Sequence, residues 1–170
     1  KFNQSGILDN QFGTNGIVSV KLFHYSTVVK IVLQADNKII IGGYGFDKEK
    51  TSEVFFIRLN ADGKRDIQFG DNGVAVSTFA KLFPANESAY QLNDFDIDFY
   101  NNIVGVGSSN GNNLSNLIIT KFKSDGRPDL SFANGGHYSN RFPIGDPTDI
   151  DSKDKCKATT LIALADGTYL

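Results

Sequence analysis

One nine-residue stretch occurs three times, and that recurrence limits what this chain can fold into. Leu8-Asp9-Asn10-Gln11-Phe12-Gly13-Thr14-Asn15-Gly16 returns as Arg65-Asp66-Ile67-Gln68-Phe69-Gly70-Asp71-Asn72-Gly73, and again as Pro128-Asp129-Leu130-Ser131-Phe132-Ala133-Asn134-Gly135-Gly136. Asp9 and Asp66 are 57 residues apart, and Asp66 and Asp129 are 63 apart. A period of this size means one supersecondary unit copied along the chain. Flanking blocks keep the same register. Lys1–Gly6, Arg58–Gly63 and Lys121–Gly126 each precede the motif, while Ala35–Gly43, Phe99–Gly107 and Ala165–Leu170 follow it.

Each copy reads as four short strands. In the first, strand a is about 16–23, strand b 28–35, strand c 38–44 and strand d 54–60. β-Branched and aromatic residues fill these runs, and Gly, Asn and Asp end them. The second copy reads 74–83, 95–99, 103–107 and 117–122; the third reads 137–142, 158–165 and 168 onward. Ala35-Asp36-Asn37-Lys38 predicts a tight hairpin, and Asp166-Gly167 suits a type I′ turn. No helical period persists over a window of about 11 residues. The 17 glycines and 16 asparagines tolerate left-handed backbone, so composition favours many tight turns.

In order the chain runs d, abcd, abcd, abc. The expectation is a single all-β repeat domain over 1–170, with units at about 7–63, 64–126 and 127–170 and the strand at 1–6 belonging to a permuted or preceding unit. Four-stranded units that need neighbours on both faces are arranged as propeller blades or a similar array. Three blades do not close a ring of the usual four to eight. The chain is then a partial ring completed by another segment, or by a second copy giving a six-bladed homo-oligomer. A non-closed stack and a β-sandwich stay open.

These blocks resemble the bacterial delta-sixty repeat family, a β-propeller-like repeat of unknown function. The match is carried by Arg58-Leu59-Asn60-Ala61-Asp62-Gly63 with Asp66, Phe69, Gly70 and Gly73, and by Gln34-Ala35-Asp36-Asn37-Lys38-Ile39-Ile40. Phe132-Ala133 and Tyr100-Asn101-Asn102 depart from it, as drifted copies would. The resemblance implies part of a large, exported or cell-surface bacterial protein, with no shared catalytic residues. The expected role is a non-catalytic scaffold that binds a protein or glycan at a rim of loops.

The recurring Asp9, Asp66 and Asp129, the phenylalanines Phe12, Phe69 and Phe132, and the glycines Gly13, Gly16, Gly70, Gly73 and Gly136 read as structural. An Asp three residues before the bend accepts backbone N–H bonds, and the Phe plugs the gap between units. The sharper chemical candidate is Asp94, Asp96 and Asp98, which alternate with Phe95, Ile97 and Phe99 and so put three carboxylates on one strand face. They suit a hard cation such as Ca²⁺, or a carboxylate pair for glycoside hydrolysis. The alternatives are therefore a fragment of a Ca²⁺-assisted hydrolase and a solvated or funnel-facing strand.

Other features are weaker. Asp146, Asp149, Asp151 and Asp154 lack the spacing of an EF-hand and read as a solvated loop. The 83–90 and 108–116 segments read as further rim loops. His24 and His137 have no partner at a telling spacing and read as surface or strand residues. Cys156, the single cysteine, lies among lysines and reads as an incidental thiol. A formal charge of −2 and a pI near 5.6 give no basic surface for nucleic acid, and no apolar run is long enough for membrane insertion as a helix.

Overall fold

The computed structural model describes residues 1–48, 52–82, 89–111, 114–140, 158–164 and 166–170. The β-branched and aromatic runs build β1 (Tyr25–Leu33), β2 (Ile39–Phe46), β3 (Ser52–Leu59), β4 (Val74–Val76), β5 (Ala89–Ile97), β6 (Ile103–Gly111), β7 (Leu114–Phe122) and β8 (His137–Asn140). A single helical turn, α1 (Phe79–Leu82), follows β4. The strands form two four-stranded antiparallel sheets, ordered β1-β2-β3-β4 and β5-β6-β7-β8. Both sheets carry a register shift at the same repeat position, between Val28 and Lys30 and between Leu92 and Asp94. The copying therefore extends to an irregularity of the ladder.

Each sheet takes strands b, c and d of one copy and closes with strand a of the next. Val74–Val76 pairs with Phe55–Ile57, and His137–Asn140 pairs with Leu117–Thr120. This corrects the expected strand at 16–23. Its start is held by the Lys1 amino group, which donates to the Gly16 carbonyl at 2.6 Å. Val18, Val20, Leu22 and Phe23 instead pack on the outer face of β2 and β3.

Three further boundaries move. The strand expected over 74–83 stops at Val76, because Glu53 on β3 accepts the N–H groups of Phe79 and Ala80 and starts α1. β5 begins at Ala89, earlier than expected, where Tyr90 N–H donates to the Ser52 hydroxyl of the first sheet. Most of the expected 108–116 loop is strand, because β6 and β7 stay paired from Ser108↔Leu117 to Gly111↔Leu114. The Asp146–Asp154 group and Cys156 lie outside the described residues.

The expected type I′ turn is also corrected. The hairpin loop has three residues, closed by Gln34 N–H to Lys38 O at 2.8 Å and Asn37 N–H to Gln34 O at 2.9 Å. Within it, Asn37 alone has positive φ, at 64°. A type I turn followed by one left-handed residue explains this. Leu164 to Thr168 repeats it, with Gly167 at 84°. Asp36 and Asp166 tighten the loops by accepting the N–H two residues on.

The two sheets pack through Ile40, Val54, Phe56 and Phe69 on one side and Tyr90, Leu92, Phe95, Ile103, Ile118 and Phe122 on the other. Phe56 meets Phe95 and Phe122 edge-on, with centroids 5.2 and 5.5 Å apart. A Cβ on Gly42 would stand 2.5 Å from the Phe95 ring, so glycine is what lets the sheets approach this closely. The opposite face of the second sheet packs Val104 and Val106 against Leu161, with Ala158 and Tyr169 alongside. Among the described residues no helix is long and apolar enough to cross a membrane.

Candidate functional site

The repeated motif forms a clasp between sheets: the second one connects β3 to β4 of the first sheet and binds the loop after β7 of the second. Asp9 and Asp66 accept through their carbonyls from Phe12 and Phe69, closing a bend. The next glycine then reaches the loop that follows strand d of the same copy, with Gly13 N–H donating to Asp62 O and Gly70 N–H to Asp125 O, both at 2.7 Å. Gly63 and Gly126 sit over the preceding Phe. Their φ values are 84° and 83°, and an added Cβ would lie 3.1 Å from the Phe12 ring and 2.9 Å from the Phe69 ring. Glycine is needed there both for its left-handed backbone and for its missing side chain. Ala133 takes the place of Gly13 and Gly70 at φ 46°, so the drifted copy keeps the bend. Gly16, Gly73 and Gly136, at 86°, 88° and 93°, end it.

Each motif Asp also pairs with the base eight residues earlier. The distances are 2.9 Å for Lys1–Asp9, 2.8 Å for Arg58–Asp66 and 3.5 Å for Lys121–Asp129. Asp66 is buried, and Lys38 is a second partner at 3.0 Å. Burial works against its charge, but Lys38, Arg58 and the Gln68 N–H outweigh that and hold the carboxyl below the ordinary range. Arg58 also stacks over Phe69 at 4.6 Å and donates to Ser124 O at 2.6 Å. For Asp129, the Ser131 hydroxyl is the main cause of a lowered pKa. Changing Asp66 to Ala should cost about 2 kcal/mol in a urea melt, because it strips charged hydrogen bonds from a buried guanidinium. Asp9→Ala, at an exposed pair, should cost measurably less.

The Asp94, Asp96 and Asp98 carboxylates point at the third copy. Asp94 Oδ1 meets Lys30 Nζ at 3.0 Å, and its Oδ2 accepts from Thr160 Oγ1 and Leu161 N–H at 3.0 Å. Asp96 Oδ2 accepts from Ala163 N–H at 3.2 Å. Asp98 accepts from the N–H groups of Tyr100 and Asn102, at 2.9 and 2.8 Å, and from the Tyr169 hydroxyl at 3.4 Å. Burial opposes the charge of Asp94, yet the Leu161 N–H and Lys30 keep its pKa low. A Ca²⁺ ion at this strand would have to displace these donors. Among the described residues no group of three or more His, Cys, Asp or Glu is arranged to hold a metal.

Lys30, Asp94 and Thr160 occupy one repeat position and touch in series. β1, β5 and the 158–164 segment, which makes only the isolated bridge Ala163–Tyr169 where a strand was expected, therefore stand side by side. The sequence pattern exposed the three carboxylates; it carried no sign that Asp94 and Asp96 would find partners more than 60 residues away.

Strand direction puts the b–c turns and the loops leading into the motifs at one end of the sheets. Asn102 and Ser124 touch there, at 3.2 Å. That end carries Ile67, Phe99, Tyr100 and Leu130, which are 70–78% exposed. Phe99 and Tyr100 meet edge-on with centroids 5.4 Å apart. Sequence reading marked Tyr100 only as a departure from the repeat.

Residues 34–69, covering β2, β3 and the second motif as far as Phe69, match the model of a β-propeller family described as domain of unknown function DUF5122. No curated protein matches the chain. The all-β architecture and this match support a β-propeller-like repeat of unknown function.

Proposed function

We propose that this chain supplies three consecutive units of a non-catalytic β-propeller-like scaffold, one of delta-sixty type, in an exported or cell-surface bacterial protein. It binds a glycan or protein ligand at the end that bears the b–c turns. The supporting observation is the Phe99–Tyr100 pair, 78% and 70% exposed on a turn that Gln34 ties to the first sheet through Asn101 and Tyr169 ties to the third copy through Asp98. Exposed aromatics on a fixed turn provide flat contact area at low entropic cost, as binding hot spots do. The motif aspartates and Asp94, Asp96 and Asp98 are engaged in holding the units together, which suits a scaffold.

The test is binding of the purified chain to glycan and protein arrays, followed by affinity measurement for the double variant Phe99→Ala, Tyr100→Ala. Affinity should fall at least about tenfold, with the melting temperature unchanged because both rings face solvent. Equal binding by the variant would refute the proposed site.

A further inference from the structure

The second sheet departs from the first at one buried rung. Where the first pairs Ile57 with Val74, the second pairs Thr120 with His137 at the same repeat position. An aliphatic pair has become a hydrogen-bonded one, and both of its residues are at most 1% exposed. A buried polar pair is tolerated only when its polar atoms are matched. His137 Nδ1 meets Thr120 Oγ1 at 2.7 Å, and Nε2 accepts from Thr78 N–H at 3.3 Å. The second of these partners belongs to the segment that enters α1.

That segment, 78–82, is a strap laid across the pair. Phe79 packs on the imidazole at 4.7 Å and is the one residue that α1 buries. Glu53 holds the strap from β3. Its Oε1 accepts from Ala80 N–H at 3.1 Å, and its Oε2 accepts from Phe79 N–H at 3.2 Å and from the Ser77 hydroxyl. A single turn has little stability of its own. β4 ends at Val76, and the Ser77 N–H to Val54 O bond at 2.8 Å closes that edge. Releasing 78–82 therefore breaks no ladder bond of either sheet, so the strap can open while both stay paired.

Among the described residues, the titratable groups around the strap are His137 on β8, Glu53 on β3, Tyr90 on β5, stacked on Phe79 at 5.0 Å, and Lys81 on α1 itself; Asp47, just beyond β2, acts on Glu53. No carboxylate among them pairs with His137, and burial alone favours its neutral ring. A proton on Nε2 turns that atom from an acceptor into a donor aimed at the Thr78 N–H, and opening the strap gives the new charge water. Glu53 acts the other way: burial raises its pKa, so acid favours the closed strap there.

We propose that residues 78–82 form an acid-released strap: protonation of His137 lifts α1 off the Thr120–His137 pair and uncovers Phe79 while both sheets stay paired. The test is amide hydrogen exchange of the 170-residue chain, read residue by residue by NMR and corrected for the pH dependence of free-peptide exchange. From about pH 7.5 to about pH 5.5, opening at Thr78, Phe79 and Ala80 should rise about tenfold, through one proton taken up by an imidazole released to its ordinary pKa of 6.5. These amides should exchange faster than those of β2 and β6 throughout, and their rates should not respond to low concentrations of urea, because the opening exposes little surface.

Thr120→Ile combined with His137→Val, which copies the aliphatic pair of the first sheet, should abolish the rise, and so should His137→Gln, which keeps a polar side chain there. Glu53→Gln should speed strap exchange at every pH and keep the rise, which separates holding the strap from responding to acid. Strap amides whose protection and urea response equal those of β2 and β6 would mean that the segment opens only with the whole fold, and would overturn the proposal. So would a rise that survives both His137 variants. Either result leaves the scaffold reading standing.

Discussion

Replacing Phe69 by alanine should cost about 4 kcal/mol, a large share of the roughly 5–15 kcal/mol that holds a domain folded. The ring is fully buried in the core between the two sheets, with Arg58 stacked on it and Gly126 against its edge. Truncation removes buried apolar area and leaves a cavity, and two rigid ladders have little freedom to collapse into it. Phe132, at the same repeat position, is only half-buried and lines a smaller apolar pocket with Leu161 and Tyr169. Phe132→Ala should cost roughly 1–2 kcal/mol. Equilibrium urea denaturation of both variants decides the point. If Phe132→Ala is the more damaging, the repeat does not use its phenylalanine as a plug between units.

Acid should destabilise the fold from about pH 6.5 downward, through His137. This side chain is fully buried on β8. Its Nδ1 lies 2.7 Å from Thr120 Oγ1, and its Nε2 accepts from Thr78 N–H at 3.3 Å. Phe79 and Phe122 pack on the ring at 4.7 and 5.9 Å. Burial lowers its pKa from 6.5 to about 4. A proton on Nε2 would face the Thr78 N–H with no acceptor.

Between those two values the unfolded chain binds a proton that the folded chain refuses, so stability rises with pH across that window. The full effect is about 3 kcal/mol, present above pH 6.5 and lost on descending to pH 4. Glu53 has the opposite sign: burial raises its pKa, against the Ser77 hydroxyl and the Ala80 and Phe79 N–H groups, so it favours the fold at the acid end. His137→Gln should flatten the stability–pH slope between pH 4 and 6.5. A slope unchanged in that variant would assign the acid sensitivity elsewhere.

The depth of His137 was not legible in the sequence, where it read as a surface or strand residue. It does lie in a strand, but its burial depends on α1, which folds back because Glu53 caps it. No local pattern announces a four-residue helix held by a side chain 26 residues away. The carboxylate strand is similar. Alternation placed Asp94, Asp96 and Asp98 together, but Thr160 and Leu161 donate to Asp94 and Ala163 to Asp96 because the 158–164 segment lies beside β5. The exposed Phe99–Tyr100 pair was hidden because a departure from the repeat looks the same whether it is drift or use.

Local chemistry was enough to set where the chain bends at each motif and which residues there take left-handed backbone. Those features depend on neighbours within a few positions, and the three copies state them three times. Which strands share a sheet was decided in three dimensions. Strand a leaves its own copy to close the sheet before it, because the clasp at Asp66–Gly73 turns the chain back onto the free edge of β3. A hydrogen-bonding edge accepts any strand of suitable register, so only packing against the next sheet selects one pairing.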